Sequence, residues 1–350
     1  MVPEKKLLII LIICFFFGGC EERSGAQDSL IGFTAYRDIP GITAEEIAGI
    51  EALKEQGASF VYGIPLSTEA FFGEDGEIGG YITLLCGWLT ELFGITFLPE
   101  ILDWGDLPDK LHDGEIDFAG LTATDDNPER YYFSDFIAQR SVKTIRVEES
   151  ESLDEIALSR PIRYVFLEGA AVYENVSAYL TPGTYEAVFA RDYDSAYRML
   201  RDTYADVCID LNIAEGAFSH YDGIVTEDFM PLVFSAVSIA TANPAYAPII
   251  SAVTKAQRNG AMPHLIDLYH KGEYEYKKYK FLLSLSEEEK EYLQNTDSVP
   301  LAIQYFNYPI AFYDEHEKRW DGITINLLRE AEKLTGFTFR IINDERTEMA

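Results

Sequence analysis

Residues 78–121, IGGYITLLCGWLTELFGITFLPEILDWGDLPDKLHDGEIDFAGL, decide the fold. Tyr81 to Phe93 set apolar side chains at helical spacing, and Thr96 to Leu102 then reads as a strand. A shorter helix near Asp106 to His112 leads through Asp113-Gly114 into Ile116 to Leu121, an apolar run with the look of a buried strand. Strand and helix alternating in this way predict a mostly parallel sheet with helices on both faces, the α/β class.

The pattern extends in both directions. Upstream, Phe60 to Ile64 is a strand, followed by a turn at Glu74-Asp75-Gly76. Before it, residues 43–55 open with Thr43 and Glu46 as a capping box and carry Ile47, Ile50 and Leu53 on one helical stripe. Downstream, strands are expected at Ile162 to Phe166, Tyr185 to Ala190 and Asp206 to Ile209. Helices are expected at Gly169 to Tyr179 and Ser195 to Asp202, with a final helix from Ala247 to Tyr269. Two β/α blocks of roughly eighty to a hundred residues fit two lobes better than one very wide sheet. The cleft between them is the expected ligand site.

The chain then begins to repeat itself. Residues 78–97 lie on residues 320–339, WDGITINLLREAEKLTGFTF, at a constant offset of 242, which matches Gly80 with Gly322, Gly94 with Gly336 and Thr96-Phe97 with Thr338-Phe339. A second copy of the first domain is therefore expected from about Val299, cut off at Ala350, with a charged helical linker between the copies.

Of 350 residues, 47% are hydrophobic and 25% charged, a globular composition that excludes disorder, collagen and a multi-span membrane protein. Acids outnumber bases 59 to 28, and the net charge of -31 opposes binding to nucleic acid or acidic lipid. Lys5 and Lys6 precede an apolar run from Leu7 to Phe17, too short to span a bilayer and suited to a secretory signal. The run ends in Phe17-Gly18-Gly19-Cys20, which resembles a bacterial lipobox and makes Cys20 the candidate lipidation site. A plain signal peptide or an uncleaved anchor are the alternatives, because Phe17 stands where leucine is usual. Cys86 and Cys208 read as buried free thiols. The five histidines, His112, His220, His264, His270 and His316, lack metal-ligand spacing, so no metal and no cofactor are expected.

An ordered set of short motifs carries a resemblance. Gly76-Glu77-Ile78-Gly79-Gly80-Tyr81, Gly114-Glu115-Ile116-Asp117, Gly120-Leu121-Thr122-Ala123-Thr124 and Phe133-Ser134-Asp135 occur in the first block. Leu167-Glu168-Gly169 and Ala205-Asp206-Val207-Cys208-Ile209-Asp210 occur in the second. Across about residues 60–280 the chain resembles family 3 of the bacterial extracellular solute-binding proteins, the periplasmic amino-acid-binding type. With its linker and second copy it is also similar to the tandem input modules of bacterial hybrid histidine kinases. The resemblance implies a two-lobed periplasmic-binding-protein fold of type II with two hinge strands. It divides the chain into 1–20, a signal or lipoprotein-type segment; 21–59, a tether and N-terminal helix; 60–283, the first solute-binding domain; 284–298, the helical linker; and 299–350, the truncated second domain. Lobe 1 takes 60–147 and 236–280, and lobe 2 takes 148–235.

It also implies a site. Phe71 and Phe72 offer an apolar wall, one of them expected to be plain core. Gly120, Thr122 and Thr124 line lobe 1. The family's carboxylate-binding arginine falls on Asn127; Arg130, three residues on, either reaches inward in its place or lies on the surface. In lobe 2, Gly169 and Ala170 replace the family's glycine and hydroxyl residue, leaving backbone N–H groups to hold an anion. Asp210 stands for the ammonium-binding carboxylate, with helix N-cap as its structural alternative. Glu69, Glu168 and Asp210 are the acids an enzyme on this fold would use, but no catalytic motif accompanies them, so binding is expected and catalysis is not. The expected partners are a small polar, amino-acid-like solute and the membrane, through the N-terminus. The expected role is sensory input to a signalling protein with output such as a histidine kinase beyond residue 350; the alternative is a lipid-anchored feeder of an ABC permease. Either places the chain in the periplasm or on the outer cell surface.

Overall fold

The structure, a computed structural model, describes residues 33–123 and 130–343. Two compact units divide the chain, a larger one within Asp28–Tyr276 and a smaller one from Lys277 onward.

The larger unit opens with helix α1, Ala44–Glu55, which starts at Thr43 through the expected reciprocal bonds with Glu46. Ile50 and Leu53 of α1 are buried in the same core as the strands that follow, and Glu46 bonds Lys255 and Ser251. Next come β1, Ser59–Pro65, the short hairpin β2, Phe71–Phe72, with β3, Ile78–Gly79, and helix α2, Tyr81–Phe93. Then follow β4, Thr96–Leu102, α3, Leu107–Asp113, and β5, Phe118–Leu121. The long strand β6 runs from Tyr132 to Val147, ahead of α4, Leu153–Ser159, β7, Ile162–Leu167, and α5, Val172–Ser177. The second half continues with β8, Tyr185–Ala190, α6, Tyr193–Arg201, β9, Val207–Leu211, α7, Ala214–Phe218, and β10, Ile224–Asp228. The chain returns through β11, Phe234–Thr241, to α8, Ala247–Ala256, and α9, Met262–Leu283.

The nine strands run in the order β4-β1-β5-β11-β6-β9-β7-β8, with β10 beside β6. β1 is parallel to β4 and β5, and β7 to β8 and β9, while β6, β10 and β11 run antiparallel to their neighbours. The sheet is thus mixed, not mostly parallel: the antiparallel pairs are the strands that join its two halves. Within β6 the partner changes from β11, up to Ser141, to β9, from Val142. The first half packs Phe60, Tyr62 and Phe118 against α2, α8 and α9 in the largest core. The second half has a core on each face of its strands.

The expected last helix is two helices. Gly260, at φ 111°, and Asn259 interrupt it between α8 and α9, a backbone conformation that only glycine adopts without strain.

The smaller unit contains α10, Glu287–Gln294, capped by Ser286, and β12, Ser298–Leu301. It continues with β13, Phe306–Asn307, β14, Ala311–Asp314, β15, Arg319–Asp321, α11, Ile323–Thr335, and β16, Thr338–Ile341. β12 is parallel to β16 as β1 is to β4. Helix α11 spans the residues of α2 displaced by 242, between Gly322 and Gly336, whose φ angles of 115° and 76° match the signs at Gly80 and Gly94, 101° and 61°. Ile82 N–H donates to Glu69 O in the larger unit, and Thr324 N–H to Ile310 O in the smaller. The sequence repeat is a repeat of backbone structure.

Candidate functional site

The two halves of the larger unit are joined by β6 and β11 and also touch away from these strands. From the first half, the segment after β1 presents Ser67 and Thr68; from the second, Ile213 and α7 face them. Thr68 N–H donates to Ile213 O at 3.0 Å. Gly216 of α7 sits so close that a Cβ there would lie 2.1 Å from the Ser67 carbonyl carbon. Farther along, Trp104 Nε1 donates to Glu168 O at 3.0 Å, and Arg191 pairs with Asp106 at 2.7 Å.

Beside this contact lies a buried ion pair. Arg140, on the inward face of β6 with Ala138 and Val142, donates from Nε to Glu69 Oε1 at 3.0 Å and from Nη2 to Oε2 at 2.6 Å. Arg140 and Glu69 are 4% and 3% exposed. Burial disfavours the charged guanidinium, yet the Glu69 carboxylate outweighs it and holds Arg140 above its usual range. Tyr62, Tyr81 and Tyr269 share the electrostatic environment of the pair. Burial, with Glu69 adding to it, pushes the Tyr269 phenol up to about 12. Gly120 packs close to the pair: a Cβ there would lie 3.1 Å from Tyr62 Oη and 3.7 Å from Arg140 Nη2. Charge-assisted, two-pronged bonds of this kind are strong and directional.

Asp210 is placed differently from the expectation. Side chains alternate along a strand, so Asp210 shares the face of Cys208, which packs in the core under α6. It is 5% exposed, accepts from Leu211 N–H at 2.7 Å and bonds Tyr193. Burial pushes its carboxyl up to about 6, against the Leu211 and Tyr193 bonds and the more distant Arg140, which favour the anion. Nor does it cap a helix: α7 begins after Ile213, with no side-chain cap.

The other expected residues divide. Phe71 is core, edge-on to Tyr276, whereas Phe72 is half exposed. Arg130 is exposed, its guanidinium over the Tyr131 ring, and does not reach inward. Gly169, at φ 70°, lies in the turn before α5, and the Ala170 N–H donates to Leu167 O, so it is not free to hold an anion. Thr122 lines an open pocket with Phe136, Phe234 and Ser238, where Asn175 of α5 donates to Ser235 at 2.7 Å. Cys20, Thr124 and Asn127 lie outside the described residues. The residues that sequence reasoning missed are Arg140, Tyr62 and Asn175. Arg140 had one available signal, its even spacing with Ala138 and Val142 in an otherwise inward-facing apolar register.

No protein-family model matches the chain, and no curated protein matches it. Solved structures do. The periplasmic domain of BvgS from B. pertussis is similar at a TM-score of 0.56 and 16% identity, over 67% of this chain and 46% of that one. This chain thus spans less than half the length of that domain. The amino acid ABC transporter substrate-binding protein AbpA from Streptococcus pneumoniae, bound to L-arginine, is similar at 0.52 and 16% identity, over 65% of this chain and 98% of that one. An ancestral arginine-binding protein bound to glutamine follows at 0.50 and 15% identity, over 61% of this chain and 97% of that one. The larger unit has the two-lobed fold of the periplasmic solute-binding proteins, the fold of the family its motifs resemble.

Proposed function

We propose that this chain is the extracytoplasmic input part of a membrane signalling protein, in which two hinged halves close on a small polar, amino-acid-like solute. One observation carries the reading: β6 passes unbroken from one half of the sheet to the other, and the surfaces it hinges together already meet at Thr68 and Ile213. The smaller unit, which rebuilds the first β-α-β of the larger, supports signalling over transport, as does the likeness to the BvgS periplasmic domain. The leader, with Cys20 as lipid anchor or as the end of a plain signal peptide, supports a place outside the cytoplasmic membrane. The second reading, a lipid-anchored protein that hands solute to an ABC permease, is favoured by the match to almost the whole of AbpA. In both the chain acts by binding.

The deciding experiment places the chain ahead of a transmembrane kinase reporter and screens amino acids and small amines. Reporter output that changes with one of them, or with a substitution at the Thr68–Ile213 contact, is the expected result. Uptake of a solute through a co-expressed permease, with the reporter silent to every solute and substitution, overturns it.

A further inference from the structure

We propose that Glu69 is a built-in ligand of the cleft: its carboxylate occupies the Arg140 guanidinium as a bound solute's carboxylate would, and its removal uncovers a site for a small monocarboxylate. The inference rests on the reading of this cleft as a solute-type cleft and names what one part of it recognises.

Three observations converge. The bonds from Nε at 3.0 Å and Nη2 at 2.6 Å form the paired, side-on approach by which a guanidinium takes a free carboxylate. The place is that of a ligand: Arg140 lies two residues before β6 changes partner, opposite Ser235 of β11, and Glu69 follows the Ser67–Thr68 segment that touches the other half. Finally, the fold does not require a carboxylate there. The backbone of this turn is held by the bond from Ile82 N–H to Glu69 O, and the smaller unit builds the same bond, from Thr324 N–H at 2.8 Å, around Ile310. The acid is thus an addition to a turn that forms without it.

Its chemistry fits one role. Arg140 is buried with the phenols Tyr62, Tyr81 and Tyr269 in its electrostatic environment, and Asp210 of the second half is bound to Tyr193 and Leu211. Glu69 is the carboxylate bonded to Arg140, and a buried guanidinium without an anion is costly. While Glu69 is present, a solute's carboxylate must displace it. Truncation at Cβ removes CH2COO⁻, the outline of acetate, and leaves the guanidinium facing the space.

The test is chemical rescue, read by thermal melting of the full chain. Glu69→Ala should melt below the unmodified protein, and formate or acetate, against chloride at equal ionic strength, should raise its midpoint saturably. At ten times the dissociation constant the rise should be about 3–5 °C. The unmodified chain and Glu69→Ala/Arg140→Met should show no such rise. If Glu69→Ala gives no folded baseline by itself, its refolding in rising formate or acetate, against chloride at equal ionic strength, carries the same comparison: recovery of the folded baseline by the carboxylate alone is expected, and no recovery overturns the proposal. A midpoint indifferent to carboxylate, or a rise that persists without Arg140, overturns the proposal. The kinase reporter is independent of this readout, so rescue can fail while the sensory reading stands, and the reverse.

Discussion

At the scale of single residues, the parity of a strand decides which core takes the charged side chain of Asp210. Asp210 and Leu211 are neighbours in β9, but one joins Cys208 and Tyr193 under α6 and the other the core with Val142 and Ile209. A one-residue change of register exchanges the two faces. Burial pushes the Asp210 carboxyl up to about 6 from an ordinary value of 3.8. The folded state therefore binds this proton more tightly than the unfolded chain, and its contribution is fully present below about pH 4 and lost as pH rises through 6. Asp210→Asn keeps an acceptor for Leu211 and Tyr193 and removes the titration. Relative to the unmodified chain it should gain stability between pH 4 and pH 7, by about 2–3 kcal/mol, with solute responses unchanged because Asp210 faces the core. Melting curves of both proteins across that range check the prediction; a difference that does not vary with pH refutes it.

Among the elements, α7 decides how the halves meet. It is short, Ala214–Phe218, and buries all of its residues except Glu215, with Gly216 against the backbone of Ser67 and Thr68. Any side chain at Gly216 must push the segments apart, because backbone cannot move aside as a flexible side chain can. Gly216→Val should cost about 1–3 kcal/mol through overpacking and weaken the bond from Thr68 N–H to Ile213. Amide exchange of the peptide containing Thr68 should then speed up at least about tenfold, the equivalent of about 1.4 kcal/mol. Unchanged protection there would mean that the halves do not depend on this contact. Helix α2 and its counterpart α11 show the complementary case, a local device used twice. Gly80 and Gly322 each face a carbonyl, of Glu69 and of Ile310, at distances that leave no room for a Cβ.

For the molecule as a whole, the two units differ in how much they bury. The larger holds extensive cores, with Phe60, Tyr62, Tyr81, Phe93 and Phe118 almost fully enclosed. The described part of the smaller centres on Ile303, Ala311 and Ile325, with Asn343 bonded to both backbone groups of Ile303. Local opening follows the apolar surface each unit encloses. Amides of β12, β16 and α11 should therefore exchange before those of β1, β5 and α2 under the same conditions, as mass-resolved hydrogen exchange would show. Simultaneous exchange of all six elements would mean that the units unfold as one.

Much of this was legible in the chain. The α2–β4 stretch, the capping box at Thr43 and Glu46 and the glycine-framed repeat are local, set by side-chain periodicity and by backbone conformations that few residues adopt. They carried the class and the two-lobed expectation, and the repeat recurs as a β-α-β of the same backbone pattern. Tertiary structure decided the rest. The antiparallel course of β6 and β11, the inward turn of Asp210 and the pairing of Glu69 with Arg140 depend on residues far apart in sequence, 71 for Glu69 with Arg140 and 109 for Tyr132 with Thr241. Periodicity gives the face a residue takes but not the partner waiting on that face, and a buried charge is defined by its partner.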